Sequence, residues 1–292
     1  MTGPGILYVV ATPIGNLDDI TLRAVRVLRE VDVVAAEDTR RTRALLSHLG
    51  ISKVLVSYYD AVEVRRAPRL VARLERGARV ALVSDAGTPG LSDPGHRLVS
   101  ASSQAGIPVI PIPGPSAITA ALAVAGLPCD RFVFEGFLPA RGAARTRRLE
   151  ALRAEPRTLV FFEAPHRLAR TLEELGAALG DRQAVMAREL TKHHEEIRRG
   201  TLGSLHHDVA CEQGVRGEVT LVLAGAGRGP VLDACDGGSL DEAIRRALKA
   251  AAKEGGSIRD VVDRVAAEQG GRRRDIYRRT LAMAGKRRRE EP

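Results

Sequence analysis

The sequence predicts an α/β protein in which two α/β domains precede a small helical unit. Three observations carry that reading. Apolar, largely β-branched runs recur at residues 6–11, 31–36, 54–58, 80–83 and 107–112, and a segment of helical spacing follows each. These runs are continuous rather than alternating, the pattern of strands buried on both faces of a parallel sheet. Beyond Gly225 the chain turns glycine-rich and then into short amphipathic stretches loaded with arginine.

The first domain is expected over residues 1–116. Its opening strand breaks at Thr12-Pro13-Ile14-Gly15-Asn16, after which Leu22, Val25 and Leu28 mark a helix. The second strand ends at Glu37-Asp38-Thr39-Arg40-Arg41, where Asp38 or Thr39 suits an N-cap, and Gly50 stops the helix carrying Leu45, Leu46 and Leu49. The third leads into a charged helix with Val64, Leu70, Val71 and Leu74. The fourth stops at Ser84-Asp85-Ala86-Gly87-Thr88-Pro89-Gly90, a small-residue turn that places Asp85 at a strand's carboxyl end. Residues 96–104 read as a helix closed by Gly106, and 107–112 as a strand running into Pro113-Gly114-Pro115-Ser116. Ser116 is the expected cap of a helix over 117–125, with Gly126 closing it.

The second domain, 117–228, changes rhythm and predicts a mixed sheet. Strands are expected at 131–137, 158–162 and 184–187, with 195–201 and 218–224 as antiparallel partners. Residues 138–148 read as a basic, mobile loop entering a helix that runs through Leu152, and 168–179 as a further helix. The third unit, 239–292, predicts three short helices. Ser239-Leu240-Asp241-Glu242 matches a capping box, Ser257 starts the second helix, and the third runs over 275–284. Gly270-Gly271 followed by Arg272-Arg273-Arg274 suggests a helix-turn-helix arrangement that meets phosphates, or else a small solubilising bundle.

With 292 residues, 44% of them hydrophobic and 28% charged, the chain has ordinary globular usage and room for two domains and a small third. It contains no run of about 18 uncharged apolar residues, the length a membrane span needs. Met1-Thr2-Gly3-Pro4 leads into a strand-like segment without the basic region and apolar core of an export signal. Cys129, Cys211 and Cys235 are scattered and form no C-x-x-C pair, so a disulfide frame and a metal site are not indicated and a cytoplasmic location is expected. The net charge of +9 favours a polyanionic partner. Residues 238–292 hold 15 basic and 9 acidic residues, so +6 of that charge sits in the helical tail.

Parallel strands would put the loops at Pro13, Asp38, Asp85 and Ser116 on one sheet edge, where α/β proteins bind ligands. Gly87, Gly90 and Gly114 let backbone approach a bound molecule, and the helix beginning at Ser116 offers free N–H groups to a carboxylate. Asp85 suits an ammonium or a ribose hydroxyl, or simply caps its turn. The dinucleotide motif G-x-G-x-x-G and the triphosphate motif G-x-x-x-x-G-K-[ST] are absent, and the pairs His193-His194 and His206-His207 diverge on any regular backbone.

The series Thr12-Pro13-Ile14-Gly15-Asn16-Leu17, Glu37-Asp38-Thr39-Arg40, Ser84-Asp85-Ala86-Gly87-Thr88-Pro89, Ser92-Asp93-Pro94-Gly95, Pro113-Gly114-Pro115-Ser116-Ala117, Glu163-Ala164-Pro165-His166-Arg167 and Ala187-Arg188-Glu189-Leu190-Thr191-Lys192 resembles the tetrapyrrole methylase superfamily. Within it the chain looks most like the branch that methylates small-subunit ribosomal RNA. The resemblance implies a tetrapyrrole-methylase-like fold of two α/β domains, S-adenosylmethionine in the cleft between them, a homodimer, and 2′-O-methylation of a cytidine in the decoding region of that RNA. Carried over motif by motif, it implies cofactor contacts from Pro13, Asp85, Ala86, Gly87, Thr88, Ser116, Ala117, Phe162, Ala187 and Gly217. The segment Ser57-Tyr58-Tyr59-Asp60-Ala61-Val62-Glu63 departs from the family's aromatic, histidine and asparagine. A tetrapyrrole methylase and a non-catalytic RNA-binding module remain the alternatives.

Transfer to a hydroxyl calls for a proton acceptor or a nearby cation. Asp38 is the candidate base and Lys192 the candidate stabiliser of oxyanion character. Arg40, Arg41, Arg141, Arg145, Arg147 and Arg148, with Arg272, Arg273 and Arg274 in the tail, are candidates for the RNA backbone.

Overall fold

The computed structural model describes residues 5–212, 214–227, 237–254, 256–269, 273, 276–281 and 283, with 237–241, 252–254 and 267–269 described by backbone only. Its contacts divide the chain into two compact units, Met1–Gly229 and Pro230–Pro292.

The first unit holds two five-stranded sheets. In the first sheet, β1 (Ile6–Val10), β2 (Val33–Ala36), β3 (Val54–Ser57), β4 (Arg79–Val83) and β5 (Val109–Ile112) are ordered β3-β2-β4-β1-β5. Every pairing is parallel. The helices between them are α1 (Leu22–Glu30), α2 (Thr39–His48), α3 (Asp60–Glu75) and α4 (His96–Gln104). Successive strand residues bury on opposite faces. Val10, Val34 and Ala81 pack under Ala24, Val27, Leu28 and Leu46 of α1 and α2, whereas Leu7, Val33 and Leu82 pack under Leu70, Leu74 and Leu98 of α3 and α4. This double coverage explains why the strands read as unbroken apolar runs.

Next come α5 (Ala117–Ala125), β6 (Phe132–Phe137), α6 (Ala143–Leu152), β7 (Thr158–Glu163), α7 (Leu168–Leu179), β8 (Gln183–Arg188), β9 (Glu196–Thr201), α8 (Leu202–Cys211) and β10 (Val219–Leu223). The second sheet is ordered β6-β7-β10-β8-β9, parallel only between β6 and β7. The segments carrying β9 and β10 are not each other's partners: both lie antiparallel to β8, one on either side. β8 supplies two apolar faces, which only a central strand can bury. Helix α8 is not among the expected elements, although Thr201 and Ser204 form a reciprocal capping box ahead of Leu202, Leu205 and Val209. The expected loop over 138–148 is shorter, because α6 already begins at Ala143.

Helix α5 joins the two sheets. Ile118, Ala121, Leu122 and Ala125 share a core with Val160, Val185, Ala187 and Val222 of the second sheet and with Ile14 from the loop after β1. Its N-terminus therefore lies at the carboxyl edge of the first sheet while its flank rests on the second. Gly126, at φ 70°, ends it as the sequence predicts, but the Ser116 side chain makes no capping bond, leaving the first N–H groups of α5 open.

In the second unit, α9 (Gly237–Glu254) and α10 (Ile258–Gln269) pack through Ile244, Ala247, Val261 and Val265, joined by Ile276 of a further helical segment. Helix α9 starts at Gly237, so Ser239 lies within its first turn rather than capping it. Ser257 and Asp260 cap α10 reciprocally. The turn at Gly270-Gly271, and Arg272 and Arg274, lie outside the described residues. No described helix is long and apolar enough to cross a membrane.

Candidate active site

A cavity of about 340 Å³ opens between the carboxyl edge of the first sheet and the second sheet. Its floor begins where two loops are fastened together. Thr12 N–H donates to Gly87 O at 2.9 Å and Gly87 N–H to Thr12 O at 3.0 Å, and the Thr12 hydroxyl bonds Ser84 O at 3.1 Å. Gly87 stands at φ 77°, a left-handed conformation that favours glycine. The turn after β4 thus sets Ala86, Gly87 and Thr88 against the cavity.

Seven of the residues expected to hold a cofactor line this one cavity: Ala86, Gly87, Thr88, Ser116, Ala117, Phe162 and Gly217. Sequence positions far apart meet here because α5 carries one sheet's edge onto the other. Pro13, Asp85 and Ala187 do not line it. Pro13 is buried beneath the loop, and Ala187, 1% exposed, belongs to the core below Phe162. Asp85 turns toward the neighbouring strand end, where its Oδ1 accepts Asp38 N–H at 2.9 Å and its Oδ2 lies 3.6 Å from Arg41. The carboxylate organises the sheet edge, while the backbone just after it faces the cavity.

Asp38 caps α2, accepting Arg40 N–H at 2.8 Å, and the Arg40 guanidinium grips the same carboxylate at 2.7 and 3.1 Å. Those bonds hold its pKa well below the usual carboxylate range. A carboxylate held ionised so firmly is a poor proton acceptor. Asp93 is different. It lines the cavity, and burial, then the charges of Glu37, Asp85 and Asp60, push its pKa up to about 7. Burial also raises Glu37, whose Oε2 accepts Asp85 N–H at 3.1 Å. Asp93 sits in the Ser92-Asp93-Pro94-Gly95 motif, which was visible in the sequence without a role. Its basicity depends on carboxylates from three separate strand ends.

Lys192 does not reach the cavity. Its Nζ bonds Glu189 at 2.9 Å and Glu218 at 3.1 Å; burial works against its charge, but those bonds outweigh it and raise the pKa. The pair braces the cavity wall instead. Gly217, at φ 93°, has no room for a side chain, since a Cβ would stand 2.4 Å from Glu189. Glu189 and Thr191 themselves adopt left-handed φ of 51° and 66°. Strain of this kind at non-glycine residues clusters around functional sites.

The expected RNA-facing arginines separate into groups. Arg145 is 3% exposed and bonds Glu174, Pro139 O and the Thr171 hydroxyl, so it is withdrawn from any phosphate. Arg148 is paired with Glu135 through two bonds of 2.6 Å. Arg141 and Arg147 are exposed, as are Arg40 and Arg41 beside the cavity's acidic edge. In the second unit, Arg273 is ion-paired with Asp263. Glu163, another lining residue, is fully engaged by Thr171 at 2.6 Å, Ala164 N–H at 2.8 Å and Arg167 at 3.2 Å, and serves as a rigid floor.

The sequence profile of the tetrapyrrole (corrin/porphyrin) methylases matches residues 6–206. The chain belongs to the tetrapyrrole methylase family, and it is a methyltransferase. Relatives of this methyltransferase include the ribosomal RNA small subunit methyltransferase I of Micromonospora olivasterospora, 49% identical over 90% of this chain and 83% of that one. The protein of that name from Pseudomonas aeruginosa is 53% identical over 76% of this chain and 79% of its own length. Among solved structures, uroporphyrin-III C-methyltransferase from Thermus thermophilus in complex with S-adenyl homocysteine shares the methyltransferase's fold, with a TM-score of 0.53 and 20% identity, covering 75% of this chain and 97% of that one.

Proposed function

We propose that the protein transfers a methyl group from S-adenosylmethionine to the 2′-hydroxyl of a cytidine ribose in the decoding region of 16S ribosomal RNA. The observation that carries the reading is the convergence of seven expected cofactor residues on one cavity, in a chain about half identical to small-subunit ribosomal RNA methyltransferases over most of its length. The cavity suits the donor. Uncapped N–H groups of α5 match a carboxylate, backbone at Ala86 to Thr88 matches polar edges, and Phe162 and Ile14 supply apolar walls. When bound there, S-adenosylmethionine supplies an electrophilic methyl carbon with a neutral thioether as leaving group.

The chain's own residues do the rest. Rigid loops hold two reactants in line, an effect worth about 7–11 kcal/mol in favourable cases. Asp93, with a pKa near neutrality and a place in the cavity wall, takes the proton of the ribose hydroxyl. The exposed Arg40, Arg41, Arg141 and Arg147 bind phosphates of the RNA, and the basic second unit adds sequence-independent affinity. The protein works in the cytoplasm as a homodimer.

The test uses small ribosomal subunits from a strain deleted for this gene, the purified protein and radiolabelled S-adenosylmethionine. A single 2′-O-methylated cytidine is expected. No incorporation by folded protein that binds the donor would overturn the reading.

A further inference from the structure

The chain has five phenylalanines, four tyrosines and no tryptophan, and three of those phenylalanines cluster, two of them, Phe137 and Phe162, lining the cavity. Phe134 and Phe162 form a T-shaped pair with centroids 5.0 Å apart, half-buried against the core that α5 shares with the second sheet. Phe137 is different: it lines the cavity and is 53% exposed, with its centroid 5.7 Å from Phe162 at 59°. One exposed phenylalanine is ordinary on a protein surface. What sets this one apart is how the backbone delivers it.

β6 is an edge strand whose register against β7 slips between Phe134 and Gly136. Such bulges re-aim a side chain, and they recur beside active sites. The extra residue, Glu135, has a side chain only 3% exposed and is held by Arg148 through both oxygens. Gly136 takes φ 63° and lies so close to the Ser92 hydroxyl that a Cβ would be 2.8 Å away. The strand is thereby pressed against the loop that bears Asp93, and the next ring is turned onto the lip of the cavity.

We infer that Phe137 is the platform on which an unstacked base of the RNA rests, so that the bulge at Gly136 sets the target cytidine's ribose beside Asp93. Single-stranded RNA is read by stacking splayed bases on aromatic faces. Phe162, deeper in the same cavity, remains with the methyl donor. The inference rests on the proposed function and names how that site takes its substrate.

The test measures KM for small subunits lacking the modification, together with equilibrium binding of S-adenosylmethionine, for wild-type protein, Phe137→Ala, Phe137→Leu, Phe137→Tyr and Phe137→Trp. Phe137→Ala and Phe137→Leu should raise KM for subunits about five- to a hundredfold, the range expected for loss of one stacked base, with donor affinity unchanged. Phe137→Tyr and Phe137→Trp should restore most of it. An unchanged KM in Phe137→Ala overturns the inference, as does full function in Phe137→Leu, which keeps bulk without a π face. A weakened donor site with KM for subunits intact would assign the ring to the donor and overturn it equally. Wild-type protein inert on subunits would fell the proposed function itself, a result distinct from these.

Discussion

Asn16 donates its backbone N–H to the Thr191 hydroxyl at 3.0 Å, tying the loop after β1 to the loop after β8. The two loops approach so closely that a Cβ on Gly15 would lie 2.4 Å from Lys192 Cγ. Thr191 holds a left-handed φ of 66° to make that bond, and its own N–H donates to Glu195 at 2.6 Å. This contact ties the two sheets together next to Ile14, which lines the cavity.

Thr191→Val keeps the shape and the backbone strain but removes the acceptor. Asn16 is exposed, so its N–H turns to water, and stability should change little. Affinity for S-adenosylmethionine should fall about fivefold, equivalent to about 1 kcal/mol for one hydrogen bond. Isothermal titration calorimetry of both proteins checks this.

Asp93→Asn tests the base. With a pKa near 7, Asp93 gives kcat/KM an ascending limb through neutrality, and Asp93→Asn should lose that limb along with about 10²- to 10⁴-fold in rate. The same shift has a stability signature. A carboxyl whose folded pKa lies above its unfolded value of about 3.9 holds its proton more tightly when folded, so wild-type stability falls as pH rises from about 4 to about 7. Asp93→Asn should flatten that decline and be the more stable protein above pH 7. Urea titrations across the pH range measure it.

Arg145 and Arg147 sit two positions apart on α6 and should behave oppositely. Arg145→Ala takes one of the two arginine partners of Glu174, leaving it Arg170, and strips the buried donor from Pro139 O and the Thr171 hydroxyl, so it should cost about 1–3 kcal/mol of stability. Arg147→Ala, on the exposed face, should stay within about 0.5 kcal/mol of wild type while weakening RNA binding and its salt dependence. Thermal denaturation and filter binding at two salt concentrations separate the cases.

Gly217→Ala places a methyl group on the Glu189 side chain at a position with φ 93°, so dihedral strain of about 1–2 kcal/mol adds to the loss of the Glu189 bonds to Lys192 and Glu218. Both thermal stability and affinity for S-adenosylmethionine should drop. Gly214→Ala, at φ 75° with open space around it, should show the strain alone and leave donor binding intact.

Much of the fold was legible in the sequence because each strand's burial on two faces demands an apolar run, and each exit from the sheet demands a turn. The ends of β1, β4 and β5 were marked by Thr12-Pro13, Ser84-Asp85 and Pro113-Gly114, and the structure places all three on one edge. Helix α8 is hard to see in one dimension because its buried residues, Leu202, Leu205 and Val209, are few and stand beside the polar His206-His207; the Thr201 and Ser204 box is the local signal for it. Arg145 is a candidate for the RNA backbone in the sequence because a one-dimensional pattern cannot show Glu174 and Thr171 arriving from α7.

By itself, the sequence determined the alternation of strand and helix and the glycine and proline breaks at the strand ends, the turn at Ala86-Gly87-Thr88 among them. These follow from local chemistry: burial period, backbone freedom and capping. The meeting of that turn with Ser116 and Phe162 is tertiary. Only the tertiary structure decided that Asp85 faces Asp38 and Arg41 while Asp93 faces the cavity, and that Lys192 braces Gly217 from outside. The reason is electrostatic and steric. A carboxyl becomes a base near neutral pH only when burial and other carboxylates surround it, and those neighbours come from strand ends far apart in the chain.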